Sequence, residues 1–293
     1  MKANNSIFPT FTAEVSSNHS KDLKRSKKFI EEAALAGCQA VKFQLFKIDK
    51  LFAKEILDKS ETHRSRRNWE LPTEFLPELS DYAHKLGLQF SCTPFYLEAV
   101  NELEPYVDFY KIASYELLWK DLFVECAKTG KPLVFSTGMA TLEEVREALN
   151  SIKGYPTKEI TVLKCTSAYP TPHDEANLSA INQLRSLEKE FKSHFKLSFG
   201  YSDHTKSPNV INRAVNHYDV SFVEFHLDLD GEGEEYQSGH CWLPKEIAAV
   251  INNLKIDFSC DGDGHFGPTG SELSDRDWRA DPSDGLRPMK FVR

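Results

Sequence analysis

A (β/α)8 TIM barrel, an α/β fold, is what this sequence predicts, on three observations. Strand-like and helix-like stretches alternate from Phe8 to Leu254. The alternation gives eight strands over about 250 residues, the usual span of such a barrel. The segment after the first strand, Glu14-Val15-Ser16-Ser17-Asn18-His19, has no glycine, whereas a doubly wound open sheet carries a glycine-rich phosphate loop there.

The elements follow in order. Phe8 to Val15 is β-rich and ends on Ala13-Glu14. Leu23, Ile30, Ala33 and Ala34 then recur at helical spacing up to a stop at Gly37. Ala40 to Leu45 reads as the second strand, and a long polar segment leads to a helix from about Thr73 to Lys85, ended by Gly87. Further strands are expected at Gln89–Thr93, Asp108–Ala113, Pro132–Thr137, Ile160–Thr166, Leu197–Tyr201 and Ser221–His226. Helical stretches near 95–103, 121–129, 141–151, 178–191 and 207–217 separate them, and a last helix spans about Pro244 to Leu254. The chain thus divides into a barrel catalytic domain over 1–255 and a turn-rich, aperiodic extension over 256–293, expected to pack on the barrel.

Composition narrows the function classes. With 40% hydrophobic and 27% charged residues, the 293-residue chain is an ordinary globular protein. A formal net charge of −8 argues against a nucleic-acid partner, which needs a basic stripe to neutralise phosphates. The densest basic stretch, His63 to Arg67, reads as a solvated loop. No apolar run is long enough for a membrane span, and polar Met1 to Ser6 lacks the apolar segment of a signal peptide. Six scattered cysteines without a CxxC pair fit reduced thiols, so the expected location is cytoplasmic.

In a barrel, chemistry sits at the C-terminal ends of the strands. The expected strands end on Glu14 and Asn18; Lys42 and Gln44; Thr93; Lys111 and Ser114; and Ser136 and Thr137. The last three end on Thr166, Ser167 and Tyr169; on Ser202, Asp203 and His204; and on Glu224 and His226. Burying lysines and carboxylates costs several kcal/mol unless they are paired or meet a ligand, roughly the penalty known for buried ions. Two lysines among several hydroxyls describe a site for a small anion carrying phosphate and carboxylate. His204 and His226 end adjacent strands, so their imidazoles can converge on a divalent ion such as Mn²⁺, Fe²⁺ or Zn²⁺, with Glu14 or Glu224 nearby. His19, His173 and His240 are additional loop candidates.

These strand ends also resemble a family. Ala13-Glu14-Val15…Asn18-His19 is similar to the opening motif of the sialic acid synthases, and Ala40-Val41-Lys42-Phe43-Gln44 to their second strand. Ser91-Cys92-Thr93-Pro94-Phe95, Tyr110-Lys111-Ile112-Ala113-Ser114 and Ser136-Thr137-Gly138-Met139 resemble the next three. The most diagnostic stretches are Cys165 to Pro172 and Gly200-Tyr201-Ser202-Asp203-His204-Thr205. The resemblance implies condensation of phosphoenolpyruvate with the open-chain aldehyde of an N-acylated amino sugar such as N-acetylmannosamine. The products would be a nine-carbon α-keto acid and phosphate. By motif position it implies that Lys42, Thr93, Lys111, Ser114, Ser136, Ser167, Tyr169 and Ser202 hold phosphoenolpyruvate. Gln44 and Glu224 would face the sugar, Glu14 would orient or deprotonate a water, and His204 and His226 would hold the metal, Mn²⁺ or Mg²⁺.

Two segments depart from the family pattern. Members commonly carry a C-terminal antifreeze-like domain that gives a sugar-binding arginine to the partner subunit, and the chain to Arg293 shows no such segment. A variant lacking that domain is therefore expected, with Arg279 or Arg287 replacing the arginine and homo-oligomerisation left open. After strand eight, Gly231 to Trp242 stands where the family has a Gly-Pro-Asp-His-like loop, and this loop is expected to contact the acceptor. A diacetamido sugar leading to legionaminic or pseudaminic acid is the alternative acceptor. Rival classes are a metal-dependent isomerase or epimerase using Glu14 and Glu224, and a non-catalytic sugar- or phosphate-binding barrel.

Overall fold

The computed structural model describes residues 8–293; the polar segment Met1 to Ser6 lies outside them. Short runs whose side chains alternate between an inward and an apolar outward face form eight parallel strands: β1 (Thr10–Glu14), β2 (Ala40–Leu45), β3 (Gln89–Pro94), β4 (Phe109–Ile112), β5 (Leu133–Ser136), β6 (Glu159–Cys165), β7 (Lys196–Asp203) and β8 (Phe222–His226). They pair in chain order, and β1 pairs with β8 to close the barrel. Closure leaves no sheet edge, so every strand can be short without exposing unpaired backbone. The principal helices are α1 (Leu23–Ala36), α2 (Leu76–Lys85), α3 (Leu97–Leu103), α4 (Lys120–Lys128), α5 (Leu142–Ser151), α6 (Ile181–Phe191), α7 (Pro208–Asn216) and α8 (Pro244–Cys260).

Local chemistry explains the boundaries. Asp22 caps α1 by accepting from the Lys24 and Arg25 amides, and Gly37, at φ 90°, ends it in the left-handed region that glycine tolerates best. Thr141 and Glu144 form a reciprocal capping box at the start of α5. The polar segment after β2 differs from its loop reading. Three short helices, Ile48–Leu51, Lys54–Lys59 and Glu61–Ser65, precede 3-10 turns. The Ser60 side chain caps the third, and Arg64 pairs with Glu61 within it, so the basic stretch is held in helical and 3-10 form.

One inward level of the barrel is an apolar plug in which Ala40, Phe109, Leu163 and Phe222 cluster with Val134. Gly200 is required beside it: a Cβ there would lie 2.4 Å from Leu163 Cδ2 and 2.5 Å from the Phe222 carbonyl oxygen. Residues through Lys255 form one compact unit, and Ile256–Arg293 contributes to a second. Within the second, 3-10 structure spans Gly270–Trp278 behind a Thr269–Glu272 capping box. Asp281 accepts from the Ser283 and Lys290 amides, and Arg293 forks onto Asp284 at 2.6 and 2.9 Å. Such side-chain-to-backbone turns carry no apolar periodicity. All six cysteines are free thiols.

Candidate active site at the strand ends

Side chains of a strand alternate between faces, so the residue two places beyond each plug residue also points inward. On the even strands that step leads from Ala40 to Lys42, from Phe109 to Lys111, from Leu163 to Cys165 and from Phe222 to Glu224. The odd strands add Glu14, Thr93, Ser136 and Ser202. The apolar floor therefore gives way to a polar layer as the strands run toward their C-terminal ends.

The polar groups meet across the barrel. Lys42 Nζ forms a short ion pair with Glu14, lies 3.8 Å from Glu224 Oε2 and donates to Thr93 Oγ1 at 3.1 Å. Lys111 Nζ lies 3.4 Å from Glu224 Oε1 and donates to the Ile112 carbonyl at 3.1 Å. Gln44 Nε2 donates to Glu14 Oε1 at 2.6 Å, and Ser202 Oγ to Glu224 Oε1 at 3.2 Å. Lys42, Lys111, Glu14 and Glu224 are all at most 4% exposed. Burial opposes every one of these charges, and the pairing answers it unevenly. Burial lowers Lys42, but Glu14 and Glu224 outweigh it and leave this ammonium raised. Lys111 is lowered by burial, which Glu224 only partly offsets. Burial would raise Glu224, yet Lys111 and Lys42 bring it down to about 2. Glu224 faces two ammonium groups, so it is the firmly charged member, and Lys111 is the group most in need of a further anion.

Further hydroxyls stand at or just beyond the ends of β4, β5 and β6. Ser114 Oγ and Ser167 Oγ share a hydrogen bond at 2.8 Å. A Cβ on Gly138 would come within 1.9 Å of Ser167 Oγ, so glycine permits this close approach of the β5 loop. Ser136 Oγ is buried without a hydrogen-bond partner, a group left for something else to satisfy.

Next to this set stands a cluster of imidazoles. His204 Nδ1 lies 2.7 Å from the Thr166 carbonyl, which fixes that nitrogen as the donor and leaves Nε2 as the free lone pair. The rings of His204 and His226 are 5.2 Å apart, and Tyr169 packs 4.2 Å from His204 and 6.0 Å from His226. A lone pair held ready on a buried imidazole beside a second imidazole is a donor set that fits a divalent ion. Burial holds His204 below the usual histidine range, which keeps it neutral as a ligand must be.

Glu14, Lys42, Gln44, Thr93, Lys111, Ser202 and Glu224 thus form one network, with Ser114 and Ser167 paired to each other. Arg279 and Arg287 lie in the C-terminal unit and are exposed, the former with its Nε on the Arg276 carbonyl. His173 is exposed on a 3-10 turn, and buried His19 takes the Lys21 amide on Nδ1. Sequence reasoning passed over Glu235, whose Oε2 lies 3.0 Å from His226 Nδ1, and left His240, 4.6 Å from His226 ring to ring, as one loop candidate among three. It also missed Glu116, whose Oε2 is buried without a hydrogen-bond partner and whose carboxyl burial pushes up to about 7 against the pull of Lys111. The available signal for His240 was His240-Cys241-Trp242, a bulky, buriable run closing an acidic glycine-rich loop.

The profile of the NeuB family matches residues 29–265. The chain belongs to the NeuB family. It is 34% identical over 270 residues to an uncharacterised protein of Methanocaldococcus jannaschii, covering 90% of this chain and 75% of that one. It is 34% identical over 266 residues to the N,N'-diacetyllegionaminic acid synthase of Campylobacter jejuni, covering 86% of this chain and 77% of the relative. In three dimensions it is similar to the N-acetylneuraminic acid synthetase of Leptospira borgpetersenii in complex with citrate, with a TM-score of 0.76 at 28% identity, over 96% and 94% of the two chains. The expected TIM barrel and the resemblance to the sialic acid synthases are both borne out. This NeuB-family chain has sialic-acid-type synthases as homologues, and enzymes of the family generally depend on a metal. None of its described helices is long and apolar enough to cross a membrane.

Proposed function

We propose that this chain condenses phosphoenolpyruvate with the open-chain aldehyde of an N-acylated amino sugar, giving a nine-carbon α-keto acid and inorganic phosphate. The observation that carries this reading is the buried Lys42–Glu14–Glu224–Lys111 network, set beside an imidazole pair and an unsatisfied serine hydroxyl. A dianionic phosphate with a neighbouring carboxylate gives Lys111 the anion it lacks, and hydroxyls of Ser114, Ser136 and Ser167 are donors for its oxygens. Thr93 and Ser202 hold Lys42 and Glu224 in place, so the charges stand preorganised before substrate arrives.

The bonds balance as follows. C3 of phosphoenolpyruvate forms a bond to the aldehyde carbon, and the aldehyde oxygen takes a proton from solvent to become a hydroxyl. Cationic character then develops at C2, where a water adds. Glu14, oriented by Gln44 and Lys42, accepts the proton of that water. The C2 hydroxyl becomes the keto carbonyl as the C2–O bond to phosphate breaks, its proton leaves with the phosphate, and the lysines stabilise the departing charge. A divalent ion held by His204 and His226 would supply Lewis acidity toward the aldehyde oxygen. The likeness to a diacetyllegionaminic acid synthase makes a diacetamido sugar as suitable an acceptor to test as N-acetylmannosamine.

The deciding experiment incubates the metal-loaded chain with phosphoenolpyruvate and a panel of N-acylated hexosamines, and follows phosphate release. Acceptor-dependent phosphate with a new α-keto acid supports the reading. No phosphate with any acceptor overturns it and favours isomerase or binding chemistry at the same residues.

A further inference from the structure

We propose that the loop following β8 supplies two further protein ligands, His240 and Glu235, so that the metal site of this chain is a three-histidine, one-carboxylate centre. The inference rests on the metal reading just given and extends it to residues outside the two-histidine pair. Three imidazoles converge: the ring centres of His204, His226 and His240 are separated by 5.2, 4.6 and 6.1 Å. Imidazoles bound to one ion through bonds of about 2 Å place their ring centres roughly 5 Å apart.

The fourth group lies beside two of them. Glu235 Oε2 is 3.0 Å from His226 Nδ1 and 3.8 Å from His240 Nε2. Donor atoms around a tetrahedral ion are roughly 3.3–3.8 Å from one another, so small adjustments would bring these onto a common centre. Ligand atoms of His226, Glu235, His240 and Cys241 all lie within 4.8 Å of each other, and His204 joins this group through its ring contacts with His226 and His240. Glu235 Oε1 is held by Ser16 and Ser17, which turns Oε2 toward His226 and His240. His240 is 3% exposed, and its Nε2 faces Glu235 with Cys241 Sγ 3.8 Å away.

The loop is built to hold these two residues. Asp228 Oδ2 accepts from the Gly231 and Gly233 amides at 2.7 and 3.4 Å, and Arg25 pairs with Asp228 and Asp230. A Cβ on Gly233 would meet Asn18 Oδ1 and Asp228 Oδ1 at 2.5 Å, so glycine lets the loop lie close against the β1 end. At the far end, the Trp242 amide donates to the His226 carbonyl at 2.8 Å, and the Asp228 amide to the Trp242 carbonyl at 2.9 Å. His240 and His226 are therefore tied through backbone as well as through Glu235. Three imidazoles and one carboxylate suit Zn²⁺, Fe²⁺, Co²⁺ or Mn²⁺, whereas Mg²⁺ prefers oxygen donors and water.

The test uses the full chain stripped of metal with a chelator and titrated with Co²⁺ and with Zn²⁺ against a chromophoric competitor. The readouts are the dissociation constant and the visible absorption of bound Co²⁺, whose intensity reports coordination number. H240A and E235Q are each expected to weaken binding about tenfold or more and to alter the Co²⁺ spectrum. H240Q, which keeps a polar side chain in place, should do the same, and melting of the metal-free variants confirms that each is folded. If H240A, H240Q and E235Q bind Co²⁺ and Zn²⁺ as the parent does while H226A does not bind, the inference fails and the two-histidine site stands. If the parent chain binds neither ion, the metal reading itself fails.

Discussion

Lys42 and Lys111 differ in what their removal exposes. Lys42 neutralises two buried carboxylates, so Lys42→Ala leaves Glu14 without its ammonium partner and is expected to cost about 3–5 kcal/mol of stability, as well as activity. Chemical denaturation separates that loss from the chemistry. Lys111→Ala leaves Glu224 still facing Lys42, so it should lower phosphate release by at least about a hundredfold while the fold survives. Near-parental turnover in Lys111→Ala would remove this lysine from the anion site. Buried His19 offers a pH test away from the lysines. Burial lowers its folded value from the ordinary 6.5 to about 4, so the unfolded chain binds the extra proton between those values. Its contribution is complete above pH 6.5 and is lost as the pH falls through 4, by about 3 kcal/mol in all. Urea unfolding at pH 7.5 and 4.5 should show this loss, and a His19→Gln chain should show a smaller one.

At the scale of elements, the strands are legible because period-two alternation forces a choice of face. Lys42, Lys111, Glu14 and Glu224 face inward because their strand neighbours Val41, Phe43, Tyr110, Ile112, Ala13, Val223 and Phe225 take the outward, helix-covered face. Strand centres agree with the sequence reading, and differences are confined to a residue or two at most ends; β7 runs on to Asp203, and α8 to Cys260. The short helices between β2 and α2 escaped because each is a few residues long, too short for periodicity to register, and each depends on local caps. The barrel closure has its own test. Gly200→Ala would push a methyl group against Leu163 and the Phe222 backbone, and should lower stability by about 1–3 kcal/mol, read as a drop in melting temperature. An unchanged melting temperature would mean that β7 and β8 can separate to admit it.

For the molecule as a whole, the matched family region, 29–265, extends beyond the barrel unit into Ile256–Arg293 as far as residue 265. The acceptor is the part of the reaction that strand ends alone do not choose. If Arg279 or Arg287 recognises the sugar, replacing both with alanine should raise the sugar KM with the phosphoenolpyruvate KM unchanged. An unchanged sugar KM in steady-state assays would take the tail out of acceptor recognition.

The sequence by itself determined the barrel, the order of its strands and the inward polar set, because alternation and strand-end position are local properties of the chain. It also placed His204 and His226 on neighbouring strands, since adjacency in a barrel follows chain order. Only the tertiary structure decided which carboxylate meets which lysine and where the β8 loop folds back. Those contacts depend on cross-barrel distances and on an aperiodic loop pinned by Asp228, Gly233 and Trp242. Glu235 and His240 are neighbours of His226 in space through that loop, and no local pattern encodes it.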